Sequence, residues 1–383
     1  MTEAATRAFP LELLETGAER RMLYFRDEVR IEHRNMISAR AEVLNAITIA
    51  KPGDLVLVFG PTGVGKTTAA NAVAKALGDS ARKELITDPE RYAVLMSKLR
   101  VVGTGNFSWS YNFPIILRAA NEPLIDLKIP GQTKYSGLAL PQYERGSVGR
   151  FEQAYLEFLK HRRPTAVILD DAHNMGKVPP KRLPYMLDYV WTLAESSKIP
   201  HVLPGTYDLL DIRDLSGQAA HRCIPVHFRR YTFENDDITG FAAAVKTLQG
   251  KMPVEKVPNF EAQLEYLMER SAGCIGILKE WLDRALSEAL LTGAKTVNET
   301  HLKKTTLADR ALTTIFSEIQ AGEGSIFNQP EEYSEKLRFM RSPLNSAESR
   351  NPGSAKANES KLGRRRAPKP GNRNPKRDQI GGK

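Results

Sequence analysis

Eight consecutive residues, Gly60-Pro61-Thr62-Gly63-Val64-Gly65-Lys66-Thr67, fill the pattern of a phosphate-binding loop, and Thr68 follows them. The residue types suit that chemistry. Glycines let backbone N–H groups turn inward around phosphate oxygens, and a helix opening at Lys66 aims its positive dipole end at the same place. Lys66 is expected to reach the β- and γ-phosphates of a nucleotide, and the Thr67 hydroxyl to ligate magnesium. A glycine-rich turn matching this pattern by chance has odds of about one in a hundred in a chain of this length. Such a loop also needs an acidic partner, and Ala166-Val167-Ile168-Leu169-Asp170-Asp171 supplies one. Asp170 is expected to hold the magnesium, directly or through water, and Asp171 to orient an attacking water. Two aspartates can also simply cap a strand-to-loop turn. Beside a phosphate loop, the chemical role is the stronger expectation. The second carboxylate is aspartate, shorter than the usual glutamate, which predicts slow hydrolysis. The two segments together predict an ATPase that uses ATP and Mg2+.

These residues need rigid elements to position them. Residues 55–60 (LVLVFG) are continuously apolar, as a strand buried on both faces requires. A helix over 66–77 should follow, then a second strand within 93–102 and a helix over 113–121. Residues 122–149 hold prolines and glycines without a firm period and read as loop. A helix over 151–158 leads to a third strand at 166–169. A helix over 183–194 leads to a fourth at 201–203, and a short helix at 216–222 to a fifth at 223–228. Pro225 cannot donate to a central ladder, which places the fifth strand at a sheet edge. Alternating helices and buried strands predict an α/β fold with a five-stranded parallel sheet. Upstream, residues 11–47 read as helical, ended by Pro52 and Gly53. Downstream, apolar residues from Phe260 to Leu290 recur at helical spacing, so 235–320 should be a small all-helical domain. The expected divisions are 1–50, an N-terminal helical segment; 51–232, the α/β domain; 233–321, the helical domain; and 322–383, an extension with a disordered tail rich in Pro, Gly, Ser, Asn and Arg.

Composition narrows the class further. The chain has 383 residues, 41% of them hydrophobic, and no apolar run approaches the roughly 20 residues of a membrane span. The N-terminus MTEAATRAFP lacks a basic start followed by an apolar core, so no signal peptide is expected. Cys223 and Cys274 sit in apolar settings and read as core thiols of a cytoplasmic protein. The net charge of +10 is concentrated at one end: residues 350–383 carry 11 Lys/Arg against Glu359 and Asp378, leaving 44 basic and 43 acidic residues elsewhere.

The sequence resembles the AAA+ ATPases of transposition, the TnsC/TniB group. The resemblance rests on GPTGVGKTT (60–68), EPLIDLKI (122–129), HRRPTAVILDDAHNM (161–175), HVLPGTYDLL and LSGQAAHRCIPVHFRRY (within 201–231), and GCIGILKEWLDRAL (273–286). These blocks run in order across about 50–290, and GTYDLL, LSGQ and GCIGILKEWL are the most particular. The resemblance implies an AAA+ P-loop NTPase with a helical lid. It puts Thr206 where the family senses the γ-phosphate. Arg222 stands where an arginine finger would reach a neighbouring subunit's ATP, with Arg229 and Arg230 as competitors. Lys279 falls at the lid position that senses nucleotide, where arginine is more usual. Asp171, Pro204 and His221 are departures that would tune turnover.

The resemblance further implies a ring or helical filament of copies on double-stranded DNA, joining a target-selecting protein or RNA-guided complex to a transposase. Hydrolysis would drive disassembly, in a bacterial cytoplasm and on the nucleoid. Candidate DNA contacts are Lys98, Arg100, Lys128 and Lys134, each of which could equally be a solvated charge. Arg364 to Arg366 and Lys369 could add non-specific DNA affinity, tether a partner or merely solubilise. Two rivals remain: a nucleotide-switch ATPase of the AAA+/STAND type that acts in signalling or defence without DNA, and a small-molecule kinase. The first usually carries a sensor or effector domain. The second needs an acceptor pocket that GCIGILKEWL argues against.

Overall fold

The computed structural model describes residues 7–123, 125 and 147–327. Lys128, Lys134, Arg364 to Arg366 and Lys369 lie outside the described residues, as does most of the expected loop over 122–149.

The N-terminal stretch is not one continuous helical region. A 3-10 turn (Leu11–Glu15) precedes α1 (Ala18–Leu23), which runs into a π-helical turn (Tyr24–Glu28); α2 (Arg34–Ile49) follows a short extended link. Gly17 and His33 are both extended, so each restarts the chain in a new direction. The break has a packing reason. Phe25 and Val29 bury in the helical layer, whereas Val43, Ala46 and Ile47 of α2 bury against the sheet.

The sheet is parallel, in the order β2-β3-β4-β1-β5. Its strands are β1 (Leu55–Phe59), β2 (Val94–Lys98), β3 (Ala166–Asp170), β4 (His201–Gly205) and β5 (Cys223–His227). β1, β3 and β4 are buried at every position, which is why β1 and the first four residues of β3 read as unbroken apolar runs. β5 is an edge strand, as Pro225 predicts. Successive residues face opposite layers. Leu55, Leu57, Phe59, Leu95, Val167 and Leu169 point into a core closed by α4 (Trp109–Ala119), α5 (Ser147–Arg162), α6 (Tyr185–Ser197), α7 (Asp208–Asp214) and α8 (Gly217–Arg222). Val56, Val58, Ile168 and Val202 face α2 and α3 (Lys66–Thr87). α3 continues ten residues past 77. Gly78 costs about 1 kcal/mol relative to alanine, but Ala81 beyond it is buried and holds the helix on course.

The second part is all-helical: α9 (Asn235–Gly250), α10 (Leu264–Arg270), α11 (Ile275–Leu291), α12 (Glu299–Thr305) and α13 (Asp309–Phe327), seven residues beyond the expected end at 320. α11 is buried along its length through Ile277, Leu278, Trp281, Leu282, Ala285, Leu286 and Ala289. Its Trp281 Nε1 donates to the Leu302 carbonyl at 3.0 Å. The described residues belong to one compact unit. Cys223 and Cys274 are buried free thiols. No described helix is long and apolar enough to cross a membrane.

Candidate functional site

β1 ends at Phe59 and hands the chain to a loop that closes onto α3. Gly63 and Gly65 have φ of 76° and 112°, left-handed values that side chains disfavour. They turn the loop so that α3 starts behind it. The Lys66 ammonium donates to the carbonyls of Gly60 and Pro61, both at 2.8 Å. Burial pushes that ammonium down to about 8, against the opposing pull of Cys274, Asp170 and Asp171.

Asp170 ends β3 and is only 3% exposed. Its Oδ2 accepts the Thr67 hydroxyl at 2.8 Å, so the two expected magnesium ligands already share a hydrogen bond. Asp171 adopts φ of 55°, an uncommon backbone state for a non-glycine residue that is often found at functional sites. Its carboxylate meets the Lys98 ammonium of β2 at 2.8 Å, which raises the Lys98 pKa above the usual lysine range. Among the described residues no cluster of three or more His, Cys, Asp or Glu could cage a metal. One hydroxyl and one carboxylate suit Mg2+, which keeps several waters and borrows phosphate oxygens.

Thr206 follows β4, whose last residue lies beside Phe59 in register. The Thr206 hydroxyl is buried with no hydrogen-bond partner among the described residues, as is His173 Nδ1. Leaving such a group unpaired costs about 1–3 kcal/mol. A bound phosphate is the kind of acceptor that would satisfy the Thr206 hydroxyl. Tyr207 next to it bonds His227 Nε2 at 3.0 Å.

The helical part meets the phosphate loop backbone to backbone. The Gly276 N–H donates to the Gly63 carbonyl at 2.8 Å, and a Cβ at position 276 would fall 2.3 Å from that oxygen. The Tyr231 N–H donates to the Gly273 carbonyl at 3.0 Å, closing the same junction. Lys279, one turn on, is directed elsewhere. Its ammonium donates to the Phe25 carbonyl at 2.6 Å and lies 4.1 Å from the centre of that ring. Burial pushes it down to about 8.

Arg222 sits at the opposite end of the strands, just before β5, which lies beside β1. Cys223, its neighbour, pairs with Leu55 at the start of β1, so the length of a strand, about 15 Å, separates it from its own phosphate loop. Its guanidinium lies 4.2 Å from the centre of the Trp191 ring. Arg100 fixes its backbone on Asn112 and exposes its side chain. Arg229 is exposed, whereas Arg230 grips Glu323 of α13 with two bonds of 2.9 Å. Glu323 and Tyr207 were not expected at this site. Tyr207 lies within the GTYDLL block but Glu323 carries no motif signal, and each acts through a contact with a distant segment. A cleft of about 660 Å3, lined by Glu90, Arg150, His161 and Arg162 among others, includes no phosphate-loop residue.

Residues 50–212 match the family model described as an AAA domain. A comparison with curated proteins finds no match. Among solved structures, the chain is similar to the Aeropyrum pernix ORC1 protein in complex with DNA, at a TM-score of 0.50 and 16% identity, covering 75% of this chain and 68% of that one. It is also similar to A. pernix ORC2 in ADPNP–ADP complexes (TM-score 0.48, 13% identity, 83% and 88% covered). A third is the Thermotoga maritima RuvB Holliday junction branch migration motor (TM-score 0.35, 16% identity, 71% and 67% covered). The chain has the P-loop AAA+ fold, with an AAA domain across residues 50–212 and a helical part behind it.

Proposed function

We propose that this chain is an ATP-dependent regulator of DNA transposition. It binds ATP, assembles with copies of itself on double-stranded DNA without regard to sequence, and joins a target-selecting protein or RNA-guided complex to a transposase. Hydrolysis then disassembles it. In this reading Lys66 and the loop N–H groups hold the β- and γ-phosphates, and Thr206 reads the γ-phosphate. Thr67 and Asp170 hold Mg2+, which supplies charge neutralisation between the phosphates. Asp171 orients a water for attack on the γ-phosphorus.

The observation that carries the assembly is the distance of Arg222 from its own phosphate loop. From the far end of the strands it is suited to a neighbouring copy's ATP, where it would stabilise charge on the transferring phosphoryl group. ATP binding and self-association are then one event. The transposition role itself rests on the GTYDLL, LSGQ and GCIGILKEWL blocks. DNA contacts by Lys98, Arg100, Lys128, Lys134 and the basic C-terminal residues would be salt-sensitive and indifferent to sequence.

The test is double-stranded DNA binding with ATP, ADP and a slowly hydrolysed analogue, with imaging of the complexes. ATP-dependent binding in rings or filaments, lost in Lys66→Ala, is the expected result. Arg222→Ala should retain ATP binding and lose turnover. ATP turnover without DNA association at low salt would overturn this reading in favour of a nucleotide switch.

A further inference from the structure

We propose that Arg230, with the Thr206 hydroxyl as a lesser contact, distinguishes a nucleoside triphosphate from a diphosphate, and that Glu323 competes with the γ-phosphate for it. The inference rests on the nucleotide-site reading above and assigns a regulatory contact within it.

Arg230 occupies the short link between β5 and the helical part. Two residues before it, the Phe228 carbonyl stands 2.4 Å from where a Cβ on Gly60 would be. One residue after it, the Tyr231 N–H is bonded to Gly273. Arg230, Lys66 and Glu323 all lie close enough to the buried Cys274 thiol to act on its charge. Two positions of the helical part near this junction offer no cation for the role. Gly276 has no room for a side chain, and Lys279 is committed to the Phe25 carbonyl. Arg230 is instead held by a bidentate carboxylate, with both side chains about one-fifth exposed. A guanidinium fork fits phosphate oxygens as well as it fits a carboxylate, so the two acceptors are alternatives for one donor.

The contact also links the γ-phosphate to α13. Gly322, next to Glu323, is pressed on the Tyr207 ring so closely that a Cβ there would lie 2.1 Å from it. Tyr207 in turn follows Thr206. One turn of α13 therefore touches Arg230 and the Tyr207 ring beside Thr206. When Arg230 moves to phosphate, that turn loses its ion pair, and α13 is the helix from which the basic C-terminal residues continue.

The test is equilibrium binding of ATP and ADP to the full chain, with hydrogen exchange over 309–327. Glu323→Gln should tighten ATP about tenfold, the scale of one charge-assisted contact, and leave ADP within twofold. Arg230→Gln should lose the preference for ATP over ADP. The swapped pair Arg230→Glu with Glu323→Arg restores the ion pair, and with it folding, and should still lack the preference. In the unmodified chain, exchange at the end of α13 should be faster with ATP than with ADP. Equal shifts for both nucleotides in Glu323→Gln, or a preference retained in Arg230→Gln, would overturn the proposal and leave the nucleotide site standing. Failure of the unmodified chain to bind either nucleotide would overturn both.

Discussion

The Lys98 ammonium stands 2.8 Å from the Asp171 carboxylate, tying the end of β2 to the residue that follows β3. The strands bring this about, because Lys98 and Asp170 are partners in register. The pair is half open to solvent, with side-chain exposures of 55% and 28%, so it is worth at most about 1 kcal/mol. Its effect is on orientation: a carboxylate bonded to lysine is less available to a water.

Lys98→Ala is therefore expected to raise ATP turnover, by no more than about fivefold given that energy. ATP affinity should stay within twofold. Steady-state hydrolysis alongside equilibrium binding separates the two effects, and an unchanged or reduced rate would count against this role for the pair.

Thr67 and Asp170 share one hydrogen bond and, in the proposed function, one Mg2+. Asp170→Asn should reduce turnover about a hundredfold or more, as loss of a preorganised charged group at a reacting centre typically does. The magnesium dependence of ATP binding should weaken with it. A titration of Mg2+ at fixed ATP is the direct check, and an unaltered midpoint would remove Asp170 from the metal site.

Burial holds Lys66 down to about 8 from its ordinary 10.5. The protonated lysine is the form that attracts phosphate. ATP affinity should be full below about pH 8 and fall above it, by up to tenfold per pH unit. Lys66→Arg, which stays charged, should show no such fall. Folding stability has the opposite sign. The unfolded chain binds the extra proton between about 8 and 10.5, so this residue's contribution to stability rises with pH across that window. Binding isotherms from pH 7 to 9.5 give the answer, and a flat profile in the unmodified chain would contradict it.

Gly276→Ala would drive a methyl group into the Gly63 carbonyl. Overpacking of this kind costs about 1–3 kcal/mol, and here it would also lift the helical part off the phosphate loop. Melting temperature and ATP affinity should both fall. Gly78→Ala is the control, since nothing lies within 4 Å of its Cβ position. It should be neutral or stabilising by up to about 1 kcal/mol. Equal behaviour of the two variants would mean the junction at Gly276 is not tight.

The sequence alone determined the parts whose signal is contiguous. The phosphate loop is legible because a single run of eight residues carries its geometry. The buried strands are legible because shielding on both faces demands unbroken apolar runs, and Pro225 marks the edge because it lacks a ladder donor. The helical part shows itself through periodicity. The tertiary structure decided what depends on groups far apart in the chain. Lys98 meets Asp171 only because β2 lies beside β3, and no local signal encodes strand order. Lys279 turns to Phe25 across 254 residues, and Arg230 finds Glu323 across 93. The N-terminal stretch breaks because its two halves bury in different layers, a choice that exists only once both layers have formed.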